Sequence, residues 1–199
     1  MAALRLSQKW TQRSARDVFA AFSQLSVGVN GFGATDNAAA PDSEFLAWRG
    51  QAQYVRRLAP ETLLVVRSNL QLADRPLLVQ EQFGLGGLNS VRGYRQDVLL
   101  TDAGWSISAE TVLPVLRLGA VDGVLQLIPF IDYGVGWNVG DRLDPDEPEL
   151  LGVGVGAQLR MGDRFSARLD WGVPLLERPN RDRTLQEQGL YFSVNLSAF

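Results

Sequence analysis

The chemistry open to this chain is bounded first by two residue types it lacks. Its 199 residues include neither histidine nor cysteine. Disulfides, thiolate nucleophiles, a Ser-His triad and His- or Cys-built metal sites are therefore excluded. Carboxylates and guanidinium groups remain, in 22 acidic and 19 basic residues, of which only Lys9 is lysine. Arginine offers a planar, permanently charged fork suited to two-point bonding with a carboxylate, although genome base composition would produce the same bias. The stretch that sets an arginine among conformationally free residues is Gly84 to Arg95, GLGGLNSVRGYR. Gly84, Gly86, Gly87 and Gly93 permit tight backbone paths around the core Val91, Arg92, Gly93, Tyr94. Such a loop could hold Arg92 against a desolvated carboxylate, or leave it in water, where an ion pair is worth little. The glycines at 152, 154 and 156 look like a phosphate loop, but no helix follows them, which disfavours dinucleotide binding. The acidic segment 144–149 reads as a solvated loop or a cation contact. A net charge of −3 gives no reason to expect nucleic-acid binding.

The elements that must position these residues have a period of two. Leu151, Val153, Val155, Ala157, Leu159 and Met161 alternate with Gly152, Gly154, Gly156, Gln158 and Arg160. Phe165, Ala167, Leu169, Trp171 and Val173 alternate with Arg164, Ser166, Arg168, Asp170 and Gly172. Comparable runs occupy 46–57, 61–72, 104–113, 124–137 and 190–198, and less regular ones lie near 3–12 and 16–29. These nine candidate strands run to roughly 9–14 residues, against about 5–6 in soluble sheets and about 9–11 for a tilted strand crossing a bilayer. Trp10, Trp48, Trp105, Tyr133, Trp137 and Trp171 fall near strand ends on the apolar face, as in an interfacial girdle. Short connections near 12–16, 58–61, 115–122 and 162–163 alternate with long ones near 30–43, 74–102, 139–149 and 174–189. This pattern predicts an all-β, antiparallel transmembrane β-barrel, with long loops extracellular and short turns periplasmic. A soluble ligand-binding β-barrel or sandwich, with the apolar face turned inward, has the same period. No apolar run approaches a membrane helix, and the N-terminus does not read as a signal peptide. Nine strands beginning outside predict that residues 1–199 are the C-terminal portion of a larger barrel, because single-chain bacterial barrels have even strand numbers.

Ser90 to Arg95, SVRGYR, followed by PFIDYG at 129–134 and RLDWGVPL at 168–175, resembles the haemolysin secretion/activation family. These are outer-membrane transporters of two-partner secretion, similar in their barrels to the barrel-assembly factors of the same superfamily. The resemblance implies that Val91, Arg92, Gly93 and Tyr94 sit in a long extracellular loop folded back into the lumen. It implies Phe130, Asp132 and Gly134 as the companion strand motif, with Asp132 the partner of Arg92. Glu110 and Asp170 share the lumen parity of Asp132 and are secondary lumen acids. The inward glycines of 152–156 would make room for the loop or ease curvature. Arg5, Arg49, Arg57, Arg67, Arg160, Arg164 and Arg168 share lumen parity, lining a polar conduit or simply solvating the interior.

The family architecture is a sixteen-stranded barrel behind periplasmic peptide-binding domains and a plug helix. Five strands follow the motif loop and four precede it, so seven N-terminal strands, the periplasmic domains and the plug are expected to be absent. One departure is Phe199, out of phase with Ala198, Leu196 and Val194. The function implied is export of an unfolded partner polypeptide through the lumen, in the bacterial outer membrane. Its partners are that polypeptide and outer-membrane lipid, with no nucleic acid, metal, cofactor or catalysis. Alternatives are a barrel-assembly or surface-translocation factor and the soluble barrel already named.

Overall fold

A computed structural model describes residues 2–29, 41–119, 122–176, 178 and 184–197. Nine long strands form a single antiparallel sheet. They are β1 (Ala2–Arg13), β2 (Asp17–Val29), β3 (Phe45–Ala59), β4 (Thr62–Ala73), β7 (Ala103–Leu118), β8 (Gly123–Trp137), β9 (Glu149–Met161), β10 (Phe165–Pro174) and β11 (Leu190–Leu196). Between β4 and β7 lie a short 3₁₀ turn, Val79–Glu81, and a small hairpin of β5 (Phe83–Leu85) with β6 (Leu99–Thr101). Each long strand pairs with its neighbour in the chain, apart from the excursion between β4 and β7, so all long connections emerge at one end of the sheet. Residues 30–40 and part of 174–189 lie outside the described residues, as do Ala198 and Phe199, and with them the phase of Phe199.

Alternation in the sequence becomes a division of faces. On the inner face Asp132 and Asp170 are 0 % and 1 % exposed, while on the outer face Ile131, Leu169 and Trp171 are about half exposed. The usual arrangement of a soluble sheet is thereby reversed. Among the described residues the apolar side chains form an exposed face that spans all nine strands, far more than an isolated surface leucine in water. Two indole N–H groups on this face are bonded across strands: that of Trp48 donates to Ser23 Oγ at 2.9 Å, and that of Trp105 to Ser68 Oγ at 2.8 Å. All six aromatics of the expected girdle share this face through the strand registers. Among the described residues β1 and β11 each have one sheet neighbour, so the sheet is open at both edges. Among the described residues, too, no helix is long and apolar enough to cross a membrane, a statement that does not bear on strands.

Candidate functional site

The segment between β4 and β7 is folded over the inner face and fastened at three levels. At its base, Asp102 is fully buried and collects donors from both sides. Its Oδ1 accepts the Leu77 N–H at 2.9 Å and Arg142 Nη1 at 2.7 Å, and its Oδ2 accepts the Val139 N–H at 3.3 Å. Higher up, buried Glu81 receives Arg5 of β1 at 2.5 Å and Arg49 of β3 at 3.5 Å. The Glu81 carbonyl also accepts Arg49 Nη2 at 2.8 Å and the Gln71 amide at 2.9 Å.

The tip has its own internal order. Ser90 Oγ accepts the Gly86 N–H at 2.8 Å and donates to the Gly86 carbonyl at 2.9 Å. Gly87 donates to the Val91 carbonyl at 3.1 Å. Gly86, Gly87 and Gly93 have φ of +102°, +91° and +101°, conformations that side-chain-bearing residues resist. Leu85, Val91, Tyr94 and Leu99 pack with Leu150 of β9 into a small buried cluster.

Arg92 leaves this tip and enters the sheet's polar face. Its Nε and Nη2 donate to Asp132 Oδ2 and Oδ1 at 2.7 and 2.8 Å, a two-point fork, and its backbone N–H donates to Oδ2 at 3.0 Å. Nη1 donates to Glu110 at 3.1 Å and Asp170 at 3.3 Å, and Nη2 also to Ser108 Oγ at 3.2 Å. All five side-chain N–H groups thus have acceptors. The guanidinium carbon lies 3.4 Å from the centre of the Phe130 ring, a cation over an aromatic face.

The acids are held from the other side. Arg168 donates to both oxygens of Asp170 at 2.7 Å and to Glu110 at 3.1 Å, and Arg67 donates to Glu110 at 2.9 Å. Three guanidiniums face three carboxylates, so the cluster is neutral only with the loop in place. Without Arg92, the wall would hold three buried acids against two arginines. Losing one member of such a pair costs about 3–5 kcal/mol, mostly from the orphaned charge.

The structure therefore brings Arg92, Asp132, Glu110, Asp170 and Phe130 together, with Val91, Gly93 and Tyr94 as the packed flanks. Gly134 is the space into which Val91 and Leu85 fit: a Cβ there would meet each at 2.9 Å. Gly152 and Gly172 likewise leave room for the backbone of Arg92 and Gly93. Of the inward arginines, Arg5, Arg49, Arg67 and Arg168 are ion-paired rather than simply solvated. Sequence reasoning gave no role to Glu81, Gln71, Asp102, Arg142 or Tyr191. Tyr191 and Gln71 stand at inward positions of strands. The other three lie outside regular alternation, and no local signal marks them.

The Tyr94 hydroxyl closes the seam where β9 and β10 part. Its proton is shared between the carbonyls of Leu151 and Leu176 at 3.0 and 2.9 Å, and its oxygen accepts the N–H groups of Leu176 and Leu151 at 3.2 and 3.3 Å. Among the described residues no group of acidic side chains is arranged to hold a metal ion.

Fold and site define a class: an antiparallel wall of the outer-membrane β-barrel type, apolar outside, with a long loop locked onto its inner face by an arginine. The profile of the family described as Haemolysin secretion/activation protein ShlB/FhaC/HecB matches residues 1–159, and the chain belongs to that family. Among solved structures it is similar to CdiB from Escherichia coli, with a TM-score of 0.78, 21 % identity, and coverage of 98 % of this chain and 36 % of that one. It is also similar to CdiB from Acinetobacter baumannii, with a TM-score of 0.70, 21 % identity, and coverage of 96 % and 32 %. The chain spans about a third of the length of these structures. No curated protein sequence matches it.

Proposed function

We propose that residues 1–199 form the C-terminal portion of the barrel of a two-partner secretion transporter, which exports an unfolded partner polypeptide across the bacterial outer membrane. The observation that carries this reading is the pairing of a lipid-type outer face with a loop seated in a charge-neutral socket on the inner face. Such a loop is removable as a unit, because its contacts are side-chain bonds and packing rather than strands of the main sheet. The work needs no catalysis: the wall supplies a polar path and the loop, held by Arg92 and Asp132, regulates it. Val91, Gly93, Tyr94, Phe130 and Gly134 shape the socket, and Glu110 and Asp170 complete its charge. The missing length would supply the remaining strands and the periplasmic domains that receive the polypeptide.

Two measurements test this. In cell fractionation the chain should be found in the outer membrane or require detergent, and a monodisperse, detergent-free monomer with cooperative unfolding would overturn the membrane reading. In the complete transporter, Arg92→Ala should abolish most partner export at equal membrane abundance. Undiminished export would remove the loop from the mechanism.

A further inference from the structure

Tyr191 connects the loop tip to β11. It is 7 % exposed and is the one buried residue among the described residues of β11. Its hydroxyl donates to the carbonyl of Tyr94 at 2.5 Å and accepts the N–H of Gly93 at 3.1 Å. One phenol thus satisfies two backbone groups of the inserted segment, and these sit next to Arg92. The hydrogen bonds of the charge cluster go to β7, β8 and β10, and those of the Tyr94 hydroxyl to Leu151 of β9 and to Leu176.

The strand on the other side of this contact is short. β11 has seven residues, against 10 to 16 in the other long strands. Among the described residues it pairs with β10, from Phe165↔Leu196 to Trp171↔Leu190. Its outward residues Phe192, Val194 and Leu196 are 59 to 77 % exposed. The loop tip is therefore what buries the one buried side chain of β11, and β11 in turn supplies two hydrogen bonds to the backbone of the loop tip.

We propose that Tyr191 is a positioning residue that couples seating of the loop to docking of the terminal strand. Such a coupling is reciprocal: whatever lifts the loop loosens β11, and whatever displaces β11 loosens the loop. In the transporter proposed above, on which this inference rests, removal of the loop from the lumen and disturbance of β11 would be one event. The loop also reaches β1 through Glu81 and Arg5, so it touches both edge strands of the described sheet.

The experiment is hydrogen exchange read by mass spectrometry on the transporter in outer-membrane vesicles, which needs no export assay and so fails or succeeds separately from the transport reading. Tyr191→Phe keeps the ring and removes the oxygen, and with it the hydrogen bonds to the Gly93 N–H and the Tyr94 carbonyl. Peptides spanning 86–95 should then exchange at least about tenfold faster, the scale expected for the loss of a buried hydrogen bond. Peptides of β2 to β4 should be unchanged, which separates a local effect from global loosening. Conversely, Arg92→Ala, at a residue whose side-chain hydrogen bonds go to β7, β8 and β10, should speed exchange in 190–196. Ser193→Ala, at the next inward position of β11, should alter neither region. Unchanged exchange at 86–95 in Tyr191→Phe, or unchanged exchange at 190–196 in Arg92→Ala, would overturn the coupling. A uniform increase across all strands would reduce Tyr191 to a general stabiliser and overturn it equally.

Discussion

Glycines line one side of the inserted loop, and amide and hydroxyl side chains line the other. Towards β8, β9 and β10 the wall interrupts its side chains with glycines: the loop backbone lies in slots at Gly152 and Gly172, and the side chains of Leu85 and Val91 fill the space at Gly134. Towards β3, β4 and β7 the wall stands off. A polar cavity of about 310 Å³ lies there, bounded by Asn69, Asn89, Ser90, Ser106, Arg67 and Glu110. A neighbouring one of about 350 Å³ is bounded in part by Gln51, Gln71, Gln80 and Gln82. The first side resembles a protein interior, where close packing makes every added methylene felt. On the second side, space large enough for water separates loop from wall. The difference shows that the tip is close-packed against one side only, while on the other the loop is held at points, by Glu81 with Arg5, Arg49 and Gln71 and by Arg92 with Glu110 and Ser108.

The largest expected effect falls on the seat. Arg92→Ala should destabilise the folded barrel by about 3–5 kcal/mol, measured as a fall in the temperature at which the heat-modifiable band is lost in detergent. Arg95→Ala, at an exposed residue three positions before Val98, should change it little. Equal effects would erase the distinction between the socket and the rest of the loop.

Next comes the glycine track. Gly172→Val should evict the tip, because even a Cβ would lie 2.6 Å from the Gly93 nitrogen, with a cost of about 1–3 kcal/mol or more for overpacking. Gly119→Ala, where a Cβ meets nothing within 4 Å, should be neutral in the same assay. A tolerated valine at 172 would mean that the loop is not seated in the glycine slots.

Charge exchange sharpens the comparison further. Arg92→Asp with Asp132→Arg keeps three cations and three anions in the cluster, and should recover more export than either single change. Recovery should be partial, since the backbone N–H of Arg92 also donates to Asp132. A double variant no better than the worse single one would show that the two residues act separately.

The smallest effect belongs to the open side. Asn69→Ala and Gln51→Ala should each stay within about 0.5 kcal/mol of the parent, as for residues bordering water. A loss comparable to that at Arg92 would mean that these residues also hold the loop.

The strands were legible because each has one polar and one apolar face, and alternation records that directly. Leu151 to Met161 is a strand in the sequence and in the fold. Asp132, Glu110 and Asp170 were recognisable as inward acids by the same parity, whereas the pairing of Arg92 with Asp132 rested on the family resemblance. Glu81 and Asp102 were not recognisable. They lie in or beside a segment without periodicity, and their partners Arg5 and Arg142 are distant in the chain. The β5–β6 hairpin was missed because strands of three residues leave too short a pattern to read. Tyr191 was visible as an inward residue, but its role depends on where the backbone of Gly93 and Tyr94 comes to rest, which no local signal encodes.

Tryptophan in a membrane protein usually settles where its ring is in hydrocarbon and its N–H can reach water or a headgroup. Trp48 and Trp105 have no such need, because Ser23 and Ser68 on the neighbouring strands already accept their N–H groups. Their depth is therefore not tied to the position of the headgroups. This part of the wall can sit in thicker or thinner bilayers without leaving an indole donor stranded, whereas Ser23→Ala or Ser68→Ala would make it sensitive to acyl-chain length.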